Sequence, residues 1–242
     1  MTATATARRL SPYYRTTTLV YRLLRWILAR LMHILYRYHA EGAANVPTEG
    51  PVILAVNHRH LFDPAVVSTA VSRKIVTLAA GKWREHVLIT SFLRAAGVIF
   101  VNRGEVDRRA LRACVALLEA GSALAIAPEG TRTKTGGLQR AKPGIAYIAQ
   151  RTDPVIVPVA HWGVERIKEW RPGRRPECHV VIGEPFRLPR PAGRLTTDDL
   201  QAMADAVMVR IGQHLPREYR GVYADQIDAF LASNVRSSDA AT

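Results

Sequence analysis

Six short apolar runs recur along this chain, spaced so that a helix fits between most of them. They are Val52–Val56, Ile75–Ala80, Val98–Val101, Ala123–Ala127, Val155–Val159 and His179–Ile182. Runs this short suit buried strands better than helices. Helical spacing appears between them at Pro64–Val71, Trp83–Ala95, Val106–Ala120 and Gly144–Gln150. Strand and helix in alternation predict an α/β fold, with a mostly parallel or mixed central sheet flanked by helices. Pro154 and Pro158 place the fifth run at a sheet edge or confine its hydrogen bonding. Leu200, Met203, Ala204, Val207, Met208 and Ile211 predict one more scaffold helix, starting near Thr197, Asp198 and Asp199.

The segment ahead of the first run has a different character. From Leu19 to Tyr38 it is rich in Leu, Ile, Tyr and Trp, yet arginines interrupt it. At helical spacing Arg15, Arg22, Arg30 and Arg37 share one side, and Leu23, Leu24, Ile27, Leu28, Leu31, Ile34 and Leu35 cover the other. No uncharged stretch approaches the ~20 residues a bilayer crossing needs, and the arginines also spoil a secretory signal. A basic amphipathic helix with Tyr21, Trp26, Tyr36 and Tyr38 suits the membrane interface; the competing reading is a helix packed on the domain with a solvated basic face. The expected organisation is a membrane-associating segment over 1–40, an α/β domain over 41–230 and a loose polar tail over 231–242.

Charge narrows the partners. Thirty-four Lys and Arg against 20 Asp and Glu give a formal net charge of +14, which calls for an anionic partner. No zinc-finger spacing, aromatic RNA-binding block or basic zipper is present, so nucleic acid is not expected. Cys114 and Cys178 form no close pair, which fits a reducing compartment and excludes a disulfide framework or a metal site.

Chemistry concentrates where the runs end. Asn57-His58-Arg59-His60-Leu61-Phe62-Asp63-Pro64 follows the first run and puts a histidine near an aspartate. Histidine titrates near neutrality, and a carboxylate can fix its tautomer. Gly97-Val98-Ile99-Phe100-Val101-Asn102-Arg103 ends in an arginine, and Ala127-Pro128-Glu129-Gly130-Thr131-Arg132-Thr133 presents a carboxylate, hydroxyls and a second arginine. Such strand ends lie on one rim of an α/β sheet, where ligands usually bind.

In order and spacing these stretches resemble the four blocks of the glycerolipid acyltransferase family, which contains the 1-acyl-glycerol-3-phosphate acyltransferases. His58 and Asp63 match His-x-x-x-x-Asp with Asn57 ahead of it; Gly97, Phe100 and Arg103 match Gly-x-x-Phe-x-x-Arg. Pro128 to Arg132 match Pro-Glu-Gly-Thr-Arg, Pro158 matches the last block, and Lys142-Pro143-Gly144 resembles the basic step after the third. The blocks span residues 57 to 159. Ala127 and Thr133 depart from the usual Phe and Ser, and His60 stands where Ser is common.

The resemblance implies transfer of a fatty acyl group from acyl-CoA or acyl carrier protein to the free hydroxyl of lysophosphatidic acid, giving phosphatidic acid with no cofactor. His58 would be the general base and Asp63 its partner. Arg103, Gly130, Thr131 and Arg132 would hold the acceptor's phosphate, with Glu129 binding an acceptor hydroxyl or orienting Arg103. Asn57, His60 and Lys142 are minor candidates, and His60 also stays open as a packing group or rival base. The implied setting is the cytoplasmic face of the cell membrane, on an anionic surface. Other acceptors (a lysophospholipid, glycerol 3-phosphate or a glycolipid) and a non-catalytic basic binding protein are the alternatives.

Overall fold

The computed structural model describes residues 18–81, 98–101 and 107–239. Helix α1 (Thr18–Leu35) leads into strand β1 (Arg37–Glu41). Then come β2 (Val52–Val56), α2 (Asp63–Ala70), β3 (Ile75–Ala80), β4 (Val98–Val101), α3 (Arg108–Glu119) and β5 (Ala123–Ile126). The chain continues through α4 (Gly144–Thr152), β6 (Val155–Trp162), β7 (Glu177–Ile182), α5 (Thr197–Gly212) and α6 (Ala224–Asp239). The helix expected over 83–95, Gly97 and the Asn102-Arg103 step lie outside the described residues.

The sheet order is β1-β7-β6-β2-β5-β3-β4. Strands β6, β2, β5, β3 and β4 are mutually parallel, whereas β7 runs antiparallel to β6 and β1 pairs parallel with β7. The expected α/β fold with a mostly parallel, mixed sheet is what forms. Alternation along β2 serves both faces: Val52, Leu54 and Val56 enter a core with α1 and α2, and Ile53 and Ala55 enter the one under α3, α4 and α5. Every residue of β2 is buried, and the strand carries no polar residue.

Four expectations change. Strand β6 lies inside the sheet, so of the two readings of its prolines the edge is lost and the confined hydrogen bonding holds: the antiparallel ladder with β7 begins at Val159, one residue after Pro158. The boundary drawn at 40/41 falls within β1, whose largely exposed residues carry no apolar period and which forms because β7 offers its backbone. Thr196 caps α5 in place of Thr197, in a reciprocal box with Asp199. Helix α6 continues to Asp239, through most of the stretch read as a loose tail.

Helix α1 also divides its surface differently. Tyr21 and Met32, with half-buried Leu24, Leu28 and Leu35, face the protein, and Arg25 donates to the Val71 carbonyl. Leu19, Leu23, Trp26, Ile27, Leu31 and Ile34 remain exposed beside Arg22 and Arg30. The single apolar face read from the sequence is thus two: one packed on α2, one open. Tyr36 is fully buried and its hydroxyl donates to the Val164 carbonyl at 2.9 Å, fixing the end of α1 at the rim where β6 ends.

Candidate active site

Strand β2 ends at Val56, and the next residue extends its pairing. The buried Asn57 side chain donates through Nδ2 to the His161 carbonyl at 2.8 Å and accepts from the His161 N–H at 2.9 Å. A side-chain amide therefore replaces one more rung of the β2–β6 ladder and holds the turn that follows. His58 N–H donates to Glu129 Oε1 at 2.7 Å, and Thr133 N–H donates to the His58 carbonyl at 2.8 Å. The end of β2 is thereby tied to the loop after β5.

Asp63 opens α2 and gathers the turn around its carboxylate. Its Oδ2 accepts from Arg59 N–H at 2.7 Å and from His58 Nδ1 at 2.7 Å, and its Oδ1 accepts from His60 N–H at 2.8 Å. Burial works to raise the Asp63 carboxyl, but the imidazole of His161, the bond from His58 and the Arg59 N–H outweigh it and hold the carboxyl below its ordinary range. An ionised carboxylate only accepts, so the proton of the His58–Asp63 bond sits on Nδ1. Nε2 of His58 is then the basic lone pair. His58, Asp63, Ala125, Ala127 and Gly130 line a largely apolar cavity of about 150 Å³.

Gly130 adopts a left-handed φ of 69°, and a side chain there would meet Lys142 Cδ at 3.0 Å. Its lack of a Cβ lets the Lys142 stem lie over the turn. Arg132 and Lys142 are exposed, and among the described residues neither cation pairs with a carboxylate. Gly130, Lys142 and Ala127 also border a wider groove of about 1020 Å³ that runs between α3 and α4.

The expected residues thus divide. His58, Asp63, Asn57, Glu129 and Gly130 converge; Thr131, Arg132 and Lys142 stand on the adjoining loop and helix approach; Arg103 lies outside the described residues. Glu129 differs from expectation. It is 3% exposed, and its oxygens accept from the backbone N–H groups of His58 and Gln139. Its carboxylate holds the backbone of two loops, and burial raises its pKa despite those bonds. The His60 ring turns to Phe62: Nδ1 accepts from Phe62 N–H at 3.4 Å and the rings meet edge-on at 5.1 Å. Only the backbone of His60 reaches Asp63.

Two residues at the site, His161 and Arg59, went unread in the sequence. His161 is fully buried, its Nε2 2.8 Å from the Asn57 carbonyl and 3.7 Å from Asp63 Oδ1, with no partner at Nδ1. Burial lowers its pKa, the Asp63 carboxylate works against that, and Nε2 carries the hydrogen donated to the Asn57 carbonyl. Arg59 forms a forked pair with Glu165 at 3.1 and 2.9 Å, donates to the Gly136 carbonyl and stacks 4.2 Å over Tyr219. It ties the turn after β2 to three separate loops. Extending the fifth apolar run two residues past Val159 would have placed His161 beside Asn57.

A family model described as Acyltransferase matches residues 37–162. The chain belongs to the acyltransferase family. Within that family it is 31% identical over 120 residues to a 1-acyl-sn-glycerol-3-phosphate acyltransferase of Borreliella burgdorferi, covering 49% of this chain and 48% of that protein. It is 29% identical over 221 residues to the protein of that name from Cocos nucifera, covering 88% of this chain and 67% of the relative. A match to the chloroplastic LPAT1 of Arabidopsis thaliana covers only 38% of that protein, so the chain spans about half or less of some curated relatives. The crystal structure of PlsC, the 1-acyl-sn-glycerophosphate acyltransferase of Thermotoga maritima, shares the fold with a TM-score of 0.61 at 24% identity over 77% of this chain and 76% of that one.

Proposed function

We propose that this acyltransferase moves a fatty acyl group from a thioester to the free hydroxyl of 1-acyl-sn-glycerol 3-phosphate. The observation that carries the reading is the His58–Asp63 pair: Nδ1 bonded at 2.7 Å to a buried carboxylate, beside an apolar cavity. His58 Nε2 takes the hydroxyl proton as the alcohol oxygen attacks the thioester carbonyl. The tetrahedral intermediate collapses, the carbon–sulfur bond breaks, and the imidazolium returns the proton to the departing thiolate. Asp63 steadies the imidazolium between those steps. Thioester and alcohol go in, ester and thiol come out, and no cofactor enters the balance.

In this reading Arg132 and Lys142, with the turn at Gly130 and Thr131 and with Arg103, meet the acceptor's phosphate. Exposed cations without carboxylate partners beside the cavity support that role for Arg132 and Lys142. The donor is acyl-CoA or acyl carrier protein.

The chain sits on the cytoplasmic face of the membrane, with the open side of α1 in the interface. Six exposed large apolar residues on a helix free of acids support this seating. Among the described residues no helix is long and apolar enough to cross a membrane.

The test is thiol release from acyl-CoA with lysophosphatidic acid present, omitted, or replaced by glycerol 3-phosphate or lysophosphatidylcholine. Release that depends on lysophosphatidic acid and falls about 10²–10⁴-fold in His58→Ala supports the assignment. A preference for another acceptor moves it to that acceptor, and full activity in His58→Ala removes His58 as the base.

A further inference from the structure

The stretch Arg166–Arg175 holds five basic residues against one acid, Glu169, between β6 and β7. Its distal part is a tight hairpin in which the backbones of Arg171 and Arg174 exchange hydrogen bonds at 3.0 and 2.9 Å. The chemistry described above uses none of these residues. Arg166 is spent on Glu169 through a forked pair at 2.9 and 2.8 Å. Arg171 donates to the carbonyls of Lys168 and Trp170, bracing the hairpin. Lys168 and Arg174 are exposed, and neither makes a hydrogen bond or ion pair with another described side chain. Trp170, 38% exposed, stands at the base.

The hairpin's position gives the cluster meaning. Arg175 Nη1 donates to the His33 carbonyl at 2.6 Å, strapping the hairpin to the last turn of α1. Arg37, just past that helix, pairs with Glu177 at 3.5 Å, beyond the hairpin. The basic surface is therefore continuous with the exposed apolar side of α1. It lies at the end of the sheet where β6 finishes and the catalytic turn sits, since the bond from Tyr36 to Val164 joins α1 to that end. Trp170 beside cations reproduces, on a loop, the composition of an interfacial helix.

We infer that the Lys168–Arg175 hairpin is a contact for anionic phospholipid headgroups that turns the catalytic rim toward the bilayer on which α1 lies. The inference rests on the membrane seating proposed above and adds an orientation to it. An apolar helix face alone binds any bilayer and leaves the protein free to roll about the helix axis. A cationic loop fixed to one end of that helix adds a second contact that only an anionic surface rewards, about 1 kcal/mol per basic residue. Such a contact weakens as salt screens it.

The experiment is sedimentation of the full chain with phosphatidylcholine vesicles and with phosphatidylcholine–phosphatidylglycerol vesicles. Wild type is compared with Lys168→Glu/Arg174→Glu and with Trp26→Asp/Ile34→Asp, after circular dichroism confirms each fold. Wild type binds both vesicles and prefers the anionic ones, and salt removes the preference. The hairpin variant keeps wild-type binding to phosphatidylcholine, loses on the order of 10-fold or more on anionic vesicles, and turns over a short-chain, water-soluble acceptor normally. The helix variant loses binding to both.

Wild-type preference for anionic vesicles in the hairpin variant overturns the inference and leaves the seating of α1 intact. Failure of wild type to bind either vesicle overturns the seating itself. Normal vesicle binding by the hairpin variant, with a raised KM for acyl carrier protein thioester but not for acyl-CoA, also overturns it and assigns the hairpin to a protein donor.

Discussion

Asp63 is the residue on which the turn depends, since it accepts from two backbone N–H groups and from His58. Asn in its place offers only one acceptor oxygen and an N–H₂ that opposes the donors around it. Asp63→Asn is expected to lower kcat by about 10²–10⁴-fold, with the smaller effect on KM expected of a positioning carboxylate. The same carboxyl ties stability to pH. Its folded pKa lies below its ordinary value, so its stabilisation is complete above about pH 4 and is lost as pH falls through the lowered folded value. The gap in Tm between wild type and Asp63→Asn is therefore widest near neutrality and narrows in acid, which melts at a series of pH values below neutrality will read. Gly130 gives a second test: Gly130→Ala forces a left-handed alanine against Lys142, and the loss is expected in KM for the phosphorylated acceptor before kcat.

Among the elements, two contacts separate scaffold from site. Breaking the largely buried Arg59–Glu165 fork with Arg59→Ala is expected to cost about 3 kcal/mol, and Lys cannot restore the fork or the stacking on Tyr219. Thr196→Ala removes the cap of α5 far from the chemistry and is expected to cost about 1 kcal/mol in urea melts with kcat unchanged. The strands of the parallel sheet were legible because each is apolar on both faces, and His58, Asp63 and Gly130 were legible because they stand where such strands end. Strand β1 was not, since Arg37, His39 and Glu41 meet solvent and only the edge of β7 makes them a strand. Arg59 and His161 were hidden for a related reason. Arg59 reads as surface charge until the fold brings up Glu165, more than a hundred residues away in sequence, and His161 reads as the fringe of a strand until Asn57 lies beside it. Glu129 misled in the opposite sense: a carboxylate in a motif looks like a ligand, and here burial gives it to the backbone.

Over the whole molecule, the part proposed to lie on the bilayer and the part proposed to react are joined by one uninterrupted stretch of chain. Helix α1 passes into β1, and β1 pairs with β7 over Arg37–Glu41 against Glu177–Val181. Met32 and Tyr36 enter the same core as Val157, Val159, Cys178 and Val180. A chain started at residue 42 therefore does not yield a free-standing catalytic half. It would bare the backbone of β7 as a new sheet edge over an uncovered apolar floor, and unpaired edges of that kind recruit other strands. Light scattering of that truncation is expected to report self-association, with thiol release lost, whereas Trp26→Asp/Ile34→Asp stays monomeric and active on a water-soluble acceptor. Solubility in this fold is thus to be sought by repainting the outer side of α1, never by cutting it away.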